Sequence, residues 1–182
     1  GVAVGTAEAL KPESPLFAQG HIAGKGQVAT TAYRMANACL QSAIATNANS
    51  VMTNMDSTYW DATKGYYYDP DPTHQGSQMF SSFQNGMALS ALAFNYGIYR
   101  NAATLTRINS LQTKGDQYLW NSVEGAYQDK DGGYLGMDAG ANLLWARGWL
   151  WMYYFTGNND YLVKVESILN FIQNRLMMDD PQ

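Results

Sequence analysis

Aspartates stand at the positions of this sequence where catalytic chemistry is easiest to envisage. They occur in two loop-like stretches and just ahead of a tryptophan-rich segment, as Asp69, Asp71, Asp129, Asp131 and Asp138. Carboxyl groups can act in pairs, one as acid and one as base or nucleophile, and in glycoside hydrolysis, for example, they lie about 5 to 9.5 Å apart. Asp138 is the first catalytic candidate, followed by Asp131 and Asp129. The alternative is that Asp138 only stabilises a helix start through the helix dipole.

The two loop-like stretches are copies of one another. Residues 60–71 return as residues 120–131, with a Trp, a Gly, a Tyr and two Asp in register at an interval of 60. Such self-similarity indicates an internal repeat. Repetition favours a structural role in which the tyrosines pack, the glycines turn and the acids bind loop amides. A second alignment, of residues 83–89 with residues 145–151, pairs Gly86 with Gly148 and predicts that both lie where helices approach closely.

Apolar residues at helical spacing surround these loops. Helices are predicted over residues 27–46, 49–60, 82–99, 101–119, 142–155 and 161–178, and no strand is predicted. Residues 1–26, which contain several Gly and two Pro, are expected to form an extended N-terminal arm. Residues 27–182 are expected to form a single all-α domain of about three helical hairpins.

Composition narrows the class of partner. Charged residues make up only 14% of the chain, the net charge is −4 and no basic run occurs, so nucleic acid is not an expected partner. No apolar run is long enough to span a membrane. Aromatic residues reach 13% beside many amide side chains, a combination that suits carbohydrate binding. Secretion or a cell-envelope location is expected, and the lone Cys39 is predicted to be a buried thiol.

Neither a metal nor a cofactor is expected. Asp129-Lys130-Asp131-Gly132 resembles the start of a calcium loop, but the position that should carry a Glu is Gly140. His21 and His74 lack the spacing of a zinc site. The substrate-binding candidates are the rings that could stack on sugars and one amide, namely Trp145, Tyr134, Tyr66, Tyr68 and Asn85. The rings of Trp149, Trp151 and Tyr154 are expected in the core.

One segment resembles a known family. The pattern Asp138-(x6)-Trp145-(x3)-Trp149-(x3)-Tyr153-(x2)-Thr156-Gly157-(x2)-Asp160-Tyr161-Leu162 is similar to a helix of glycoside hydrolase family 76, the endo-acting α-1,6-mannanases. The resemblance covers roughly residues 60 to 178. It implies a six-hairpin (α/α) toroid that acts on an α-linked polysaccharide such as mannan.

Two departures from that family bear on function. The family carries two adjacent aspartates ahead of this helix, whereas the expected positions here hold Gly140 and Ala141. Three hairpins also make only about half of a toroid. The chain is therefore a fragment, a subunit that self-associates to complete the toroid, or an open bundle stable by itself. The alternative to an enzyme is a non-catalytic carbohydrate-binding or structural (α/α) domain.

Overall fold

The computed structural model describes residues 22–39, 42–73, 79–128 and 137–176 of the 182-residue chain. Within these ranges two small β-hairpins separate three pairs of helices. The helices are α1 (Ile22–Cys39), α2 (Ser42–Tyr59), α3 (Ser82–Tyr99), α4 (Ala102–Tyr118), α5 (Ala139–Thr156) and α6 (Asn159–Phe171), which continues as a π-helical turn (Ile172–Leu176). The strands are β1 (Trp60–Asp61), β2 (Tyr66–Tyr67), β3 (Trp120–Asn121) and β4 (Ala126–Tyr127).

Short polar side chains determine where four of the helices begin. Each accepts a hydrogen bond from a backbone N–H of the first turn, which otherwise has no partner inside the helix. The four capping residues are Ser81, Asn101, Asp138 and Asn158. Gly157 ends α5 in the left-handed conformation, with φ of 71°. These signals explain why the predicted bounds of α3 and α4 agree closely with the structure, whereas α5 begins three residues before its predicted start at Asn142.

The N-terminal helices differ from the prediction. Residues 22–26, assigned to the extended arm, form the start of α1, and α2 begins at Ser42 inside the predicted first helix. Asn54 and Asp56 lower the helix propensity of α2. Burial of Ile44, Val51 and Met55 offsets that cost, since tertiary packing supplies most helix stability. Residues 1–21 and the side chain of Cys39 lie outside the described part of the structure.

Three helical hairpins build the molecule. Helices α1, α3 and α5 form an inner row in which α3 packs between its two neighbours. Helices α2, α4 and α6 form an outer row, and each packs mainly on the inner helix of its own hairpin. The predicted all-α hairpin architecture is therefore confirmed. None of the helices in the described ranges is both long and apolar enough to cross a membrane.

Two glycines let α3 and α5 approach closely. A Cβ atom on Gly148 would lie 2.5 Å from Cγ of Leu89, and one on Gly86 would lie 3.0 Å from Cβ of Leu144. The predicted close approaches thus exist. However, Gly86 faces the following inner helix, α5, whereas Gly148 faces the preceding one, α3. Equivalent positions of a repeat would face in the same direction, so the proposed equivalence of the two glycines is wrong.

The prediction that the chain has no strand is also wrong. Each copy of the repeated stretch forms a two-residue antiparallel pair, in which Trp60 lies opposite Tyr67 and Trp120 lies opposite Tyr127. Gly65 and Gly125 close the turns with φ of 77° and 70°, a conformation that favours glycine. Two-residue strands are too short to produce the alternating pattern by which strands are recognised.

The core contains most, but not all, of the rings assigned to it. Trp149 is fully buried and stacks on Tyr161 with ring centroids 5.4 Å apart. Trp151 is partly buried against Phe94. Tyr154 is 70% exposed, so its assignment to the core is wrong. It shares an exposed stripe along α5 with Leu143 and Leu150.

Candidate functional site

A buried asparagine fastens each hairpin to the first turn of the inner helix that follows it. The side-chain Oδ1 of Asn85 accepts the N–H of Tyr67 (3.0 Å), and its Nδ2 donates to the carbonyls of Tyr67 (3.1 Å) and Ser81 (3.0 Å). Asn142 makes the same three bonds, to Tyr127 and Asp138, at 2.8, 2.8 and 3.0 Å. Because both asparagines are fully buried, the structure assigns Asn85 a structural role instead of the predicted sugar contact.

A carboxylate, a cation and a tyrosine hydroxyl form a second repeated cluster. In the first repeat, Tyr67 donates to Asp56, whose Oδ2 lies 3.2 Å from Nη1 of Arg107. Burial raises the pKa of Asp56, while the Tyr67 hydroxyl and the Arg107 charge oppose that rise.

The second repeat preserves this cluster with a different cation. Tyr127 donates to Asp116 (3.3 Å), which also accepts a hydrogen bond from Lys164. Burial raises the pKa of Tyr127 well above 10, as it does for Tyr67 in the first copy. Asp56 and Asp116 therefore stabilise the hairpins by binding the hydroxyl groups of Tyr67 and Tyr127.

Asp138 lies at the exposed start of α5, where its Oδ1 accepts the N–H of Ala141 at 2.7 Å. Its carbonyl accepts from the backbone and the side chain of Asn142. Ser81 makes the equivalent bonds with Asn85 and caps α3 in the same way. The position is thus a helix cap in both repeats, and only the second repeat places a carboxylate there.

The other acidic candidates fall into two groups. Asp69 is 1% exposed, and its Oδ1 accepts the N–H of Asp71 at 3.0 Å. Asp71 is exposed and binds the backbone N–H and hydroxyl of Thr73 at 2.9 and 2.8 Å. Both acids therefore support the turn that follows the first hairpin. Asp129 and Asp131 lie outside the described residues, so their catalytic assignment stays a prediction.

A buried lysine lies near Asp69. Lys25 is 7% exposed, donates to Oδ1 of Asn54 at 2.5 Å and lies 5.0 Å from the ring centroid of Tyr59. Burial lowers the pKa of Lys25, and the charge of Asp69 opposes this. Burial together with Asp69 and Asp71 raises the pKa of Tyr59 to about 12. Sequence reasoning missed this cluster because its members are far apart in the chain.

The inner row carries further positive charge. Arg147 of α5 is partly buried, donates from Nε to Oγ of Ser90 (3.0 Å) and reaches Oε1 of Gln27 in α1 at 3.5 Å. Burial lowers the pKa of Arg147, and the nearby charge of Arg34 lowers it further. Arg147 therefore links α5 to both α3 and α1 through polar contacts.

The structure separates the predicted sugar-stacking rings. Trp145 is fully buried, stacks on Tyr127 at 4.2 Å and donates from Nε1 to the carbonyl of Ser82 at 2.9 Å. Its burial removes it from the sugar contacts. The Lys64 ammonium lies 3.4 Å from the ring centroid of Tyr68, and Tyr66 stacks on Phe80 at 4.1 Å. Tyr134 lies outside the described residues.

No metal site is assembled within the described ranges, where no three His, Cys, Asp or Glu side chains come together.

Comparison with known proteins identifies the fold. No protein-family model and no curated protein matches the sequence. Among solved structures, an inactive variant of the α-1,6-mannanase GH76A of Salegentibacter sp. HEL1_6, in complex with α-1,6-mannotetrose, matches with TM-score 0.70 and 13% identity, over 84% of this chain and 46% of that one. A GH76 α-mannanase of Bacteroides thetaiotaomicron matches with TM-score 0.68 and 15% identity, over 83% and 40%.

A third match extends the likeness to another family. A glycosyl hydrolase family 88 protein of Bacteroides vulgatus matches with TM-score 0.64 and 20% identity, over 84% of this chain and 48% of that one. The chain therefore shares the helical-hairpin fold of these solved structures, and the predicted fold class is confirmed. It spans about half the length of the solved structures it matches.

Proposed function

We propose that this chain is a glycoside hydrolase-like protein that engages an α-linked polysaccharide such as mannan. The observation that carries the proposal is the superposition of 84% of the chain on an α-1,6-mannanase described in complex with α-1,6-mannotetrose. A secreted or cell-envelope location belongs to the same proposal, because a polysaccharide of this kind is met outside the cell.

The proposed site lies where the hairpins meet the starts of the inner helices. Asp138 is the proposed acid, since its carboxylate is exposed and its Oδ2 makes no hydrogen bond to the described residues. Asp131 and Asp129 are the proposed partners for the second carboxyl role. Tyr134 and Tyr68 are proposed as sugar contacts.

A non-catalytic carbohydrate-binding or structural role is the second candidate. It is favoured by Gly140 and Ala141, which occupy the positions where the resemblance places two adjacent aspartates. It is also favoured by Asp69 and Asp71, whose carboxylates bind backbone groups of their own turn. In this alternative the chain retains the fold and binds the polysaccharide without cleaving it.

Variants of Asp138 that retain the helix cap test whether its carboxylate has a catalytic role in addition to the structural one. Asn and Ser both cap helices well, and Ser reproduces the first repeat at Ser81. We expect Asp138→Asn and Asp138→Ser to abolish release of reducing sugar from α-1,6-mannan while leaving Tm unchanged. Product from both variants at the native rate would remove Asp138 from the site.

Binding measurements distinguish the two candidates. Calorimetric titration of the native chain with α-1,6-mannotetrose, followed by chromatography of the mixture, reports affinity and cleavage together. Binding without product supports the non-catalytic candidate. The absence of both binding and product would contradict the proposed function as a whole.

Self-association that completes the toroid is also part of the proposal. If two chains associate, light scattering should give twice the mass of one chain.

A further inference from the structure

A cavity of about 340 Å³ lies between the first hairpin and the outer helix α4. It is lined by Thr63, Lys64, Tyr66, Phe80, Lys114 and Tyr118. Thr63, Lys64 and Tyr66 belong to the first hairpin and Lys114 and Tyr118 to α4, whereas Asp138 follows the second hairpin. Its volume falls within the range of small-ligand sites, which is about 300 to 1,000 Å³.

Aromatic rings form one wall of this cavity. Tyr66 stacks on the buried Phe80 with ring planes 10° apart, which fixes the orientation of the tyrosine ring. Tyr118 adds a ring that is 45% exposed. Tyr118 thus offers an apolar face together with a hydroxyl, a combination suited to a sugar ring.

The polar wall of the cavity is cationic. Lys64 is already paired with Asp61, with Nζ 2.8 Å from Oδ2. Lys114 lies 5.7 Å from the Tyr118 ring centroid, and no carboxylate among the described residues pairs with it. The lining contains no acidic residue. An ammonium group beside exposed rings favours a ligand that carries a negative charge.

The second repeat shows that this lining is not required by the fold. A cavity of about 280 Å³ occupies the equivalent place, where Ser167 binds the Gly125 carbonyl as Ser110 binds that of Gly65. There Glu124 replaces Lys64, Phe171 replaces Lys114 and Arg175 replaces Tyr118. Arg175 pairs with Glu124 at 3.1 Å, so the charges of that cavity satisfy each other.

We propose that the cavity of the first repeat binds an acidic saccharide. The rings of Tyr66 and Tyr118 lie against the sugar, and the Lys114 ammonium pairs with its carboxylate or sulfate. The site lies between the first hairpin and α4, and its binding does not depend on hydrolysis at Asp138. The ligand is held partly by charge, so its affinity falls as salt is raised.

Titration of the native chain with trigalacturonate and with a chondroitin sulfate tetrasaccharide tests this proposal, by calorimetry at low and moderate salt. At least one probe should bind, whereas α-1,6-mannotriose should not displace it. Lys114→Gln should weaken binding roughly tenfold, the loss expected for one contact to a charged group. Tyr118→Ala should also weaken binding, because it removes the ring that lies against the sugar. The two probes report whether the carboxylate or the sulfate is preferred.

A control variant keeps the test specific. Arg175→Gln alters the equivalent position of the second repeat and should leave the affinity unchanged. The inference is overturned if neither acidic probe binds, or if Lys114→Gln binds with native affinity. A failure to bind mannan would contradict the proposed function but not this acidic-saccharide site, so the outcomes of the two proposals are distinguishable.

Discussion

Asn85 binds both backbone groups of Tyr67, accepting its N–H at 3.0 Å and donating to its carbonyl at 3.1 Å. The side-chain amide thereby acts as a third strand beside the two-residue hairpin. Two residues alone are marginal as a β-pair in water. The asparagine supplies the partner that makes so short a hairpin persist, and Asn142 does the same for Tyr127.

Replacement of this asparagine should be costly. Asn85→Ala leaves the buried N–H and carbonyl of Tyr67 without their partner, and each such group costs about 1 to 3 kcal/mol. We expect the free energy of unfolding, measured by urea denaturation, to fall by about 3 kcal/mol. Asn142→Ala should have a similar effect in the second repeat.

The matched control is Asn109→Ala on the exposed side of α4. An exposed substitution of this kind should change stability by less than about 0.5 kcal/mol. Equal stability of Asn85→Ala and Asn109→Ala would show that the three hydrogen bonds contribute nothing net.

Replacement of the hairpin glycine Gly125 by alanine should destabilise the protein by more than the cost of backbone strain alone. A Cβ on Gly125 would lie 2.2 Å from Oγ of Ser167, whereas Gly157, with nearly the same φ, has open space around it. Gly157→Ala should therefore cost about 1 kcal/mol, the strain of a left-handed residue, and Gly125→Ala should cost more. Thermal unfolding of both variants measures the difference.

A second substitution tests whether the serine hydroxyl is the cause. Ser167→Ala removes the clashing atom together with its 3.0 Å bond to the Gly125 carbonyl. Gly125→Ala should consequently cost less in the Ser167→Ala background than in the native chain. Equal costs in the two backgrounds would contradict the close contact.

The pH dependence of stability should report on Asp56. Burial raises its pKa above the usual 3.8, so its contribution to stability is fully present below that value and is lost as pH rises through the folded-state pKa. We expect the stability of the native chain relative to Asp56→Asn to decrease from about pH 3 toward neutrality. Urea denaturation of both proteins across this range gives the comparison.

Tyr67→Phe provides the control for this assignment. The Tyr67 hydroxyl lowers the pKa of Asp56 by donating to its carboxylate. Its removal should extend the pH dependence to higher pH. A relative stability that increases with pH in either background would be the wrong sign for a buried aspartate.

A larger residue at Gly148 should test the close contact between α3 and α5. Gly148→Ala places a methyl group 2.5 Å from Cγ of the buried Leu89, and such crowding typically costs about 1 to 3 kcal/mol. Leu89→Ala alone leaves a cavity and costs about 2 to 5 kcal/mol. In the double variant the new methyl group occupies part of that space, so the double loss should be smaller than the sum. Strict additivity, measured by chemical denaturation, would exclude direct contact.

The sequence predicted the repeat and the helical class because both depend on local, periodic signals. Ser81 and Asn101 fixed helix starts through side chains adjacent to the backbone they cap. Asp138 could not be assigned in the same way, since an exposed carboxylate at the start of a helix can serve either as a cap or as a catalytic acid.

Long-range packing explains what the sequence could not predict. A Trp is favoured both in a core and beside a sugar, and only the contact with Tyr127 and Ser82 places Trp145 in the core. Likewise, no local feature distinguishes the buried Trp149 from the exposed Tyr154. The bonds from Asn85 to Tyr67 and from Asn142 to Tyr127, here called the asparagine clamp, did have a signal in the sequence, because an Asn follows each repeated Tyr. The distance from Tyr to Asn differs between the two repeats, and this difference concealed the signal.

That spacing shows where the architecture tolerates variation. The clamp joins residues 18 apart in the first repeat and 15 apart in the second, while the hairpins themselves keep the same length. The difference of three residues lies entirely between the end of the hairpin and the start of the inner helix. This connection is therefore a natural insertion point, where a longer loop could be grafted between two anchored elements without altering the register of either.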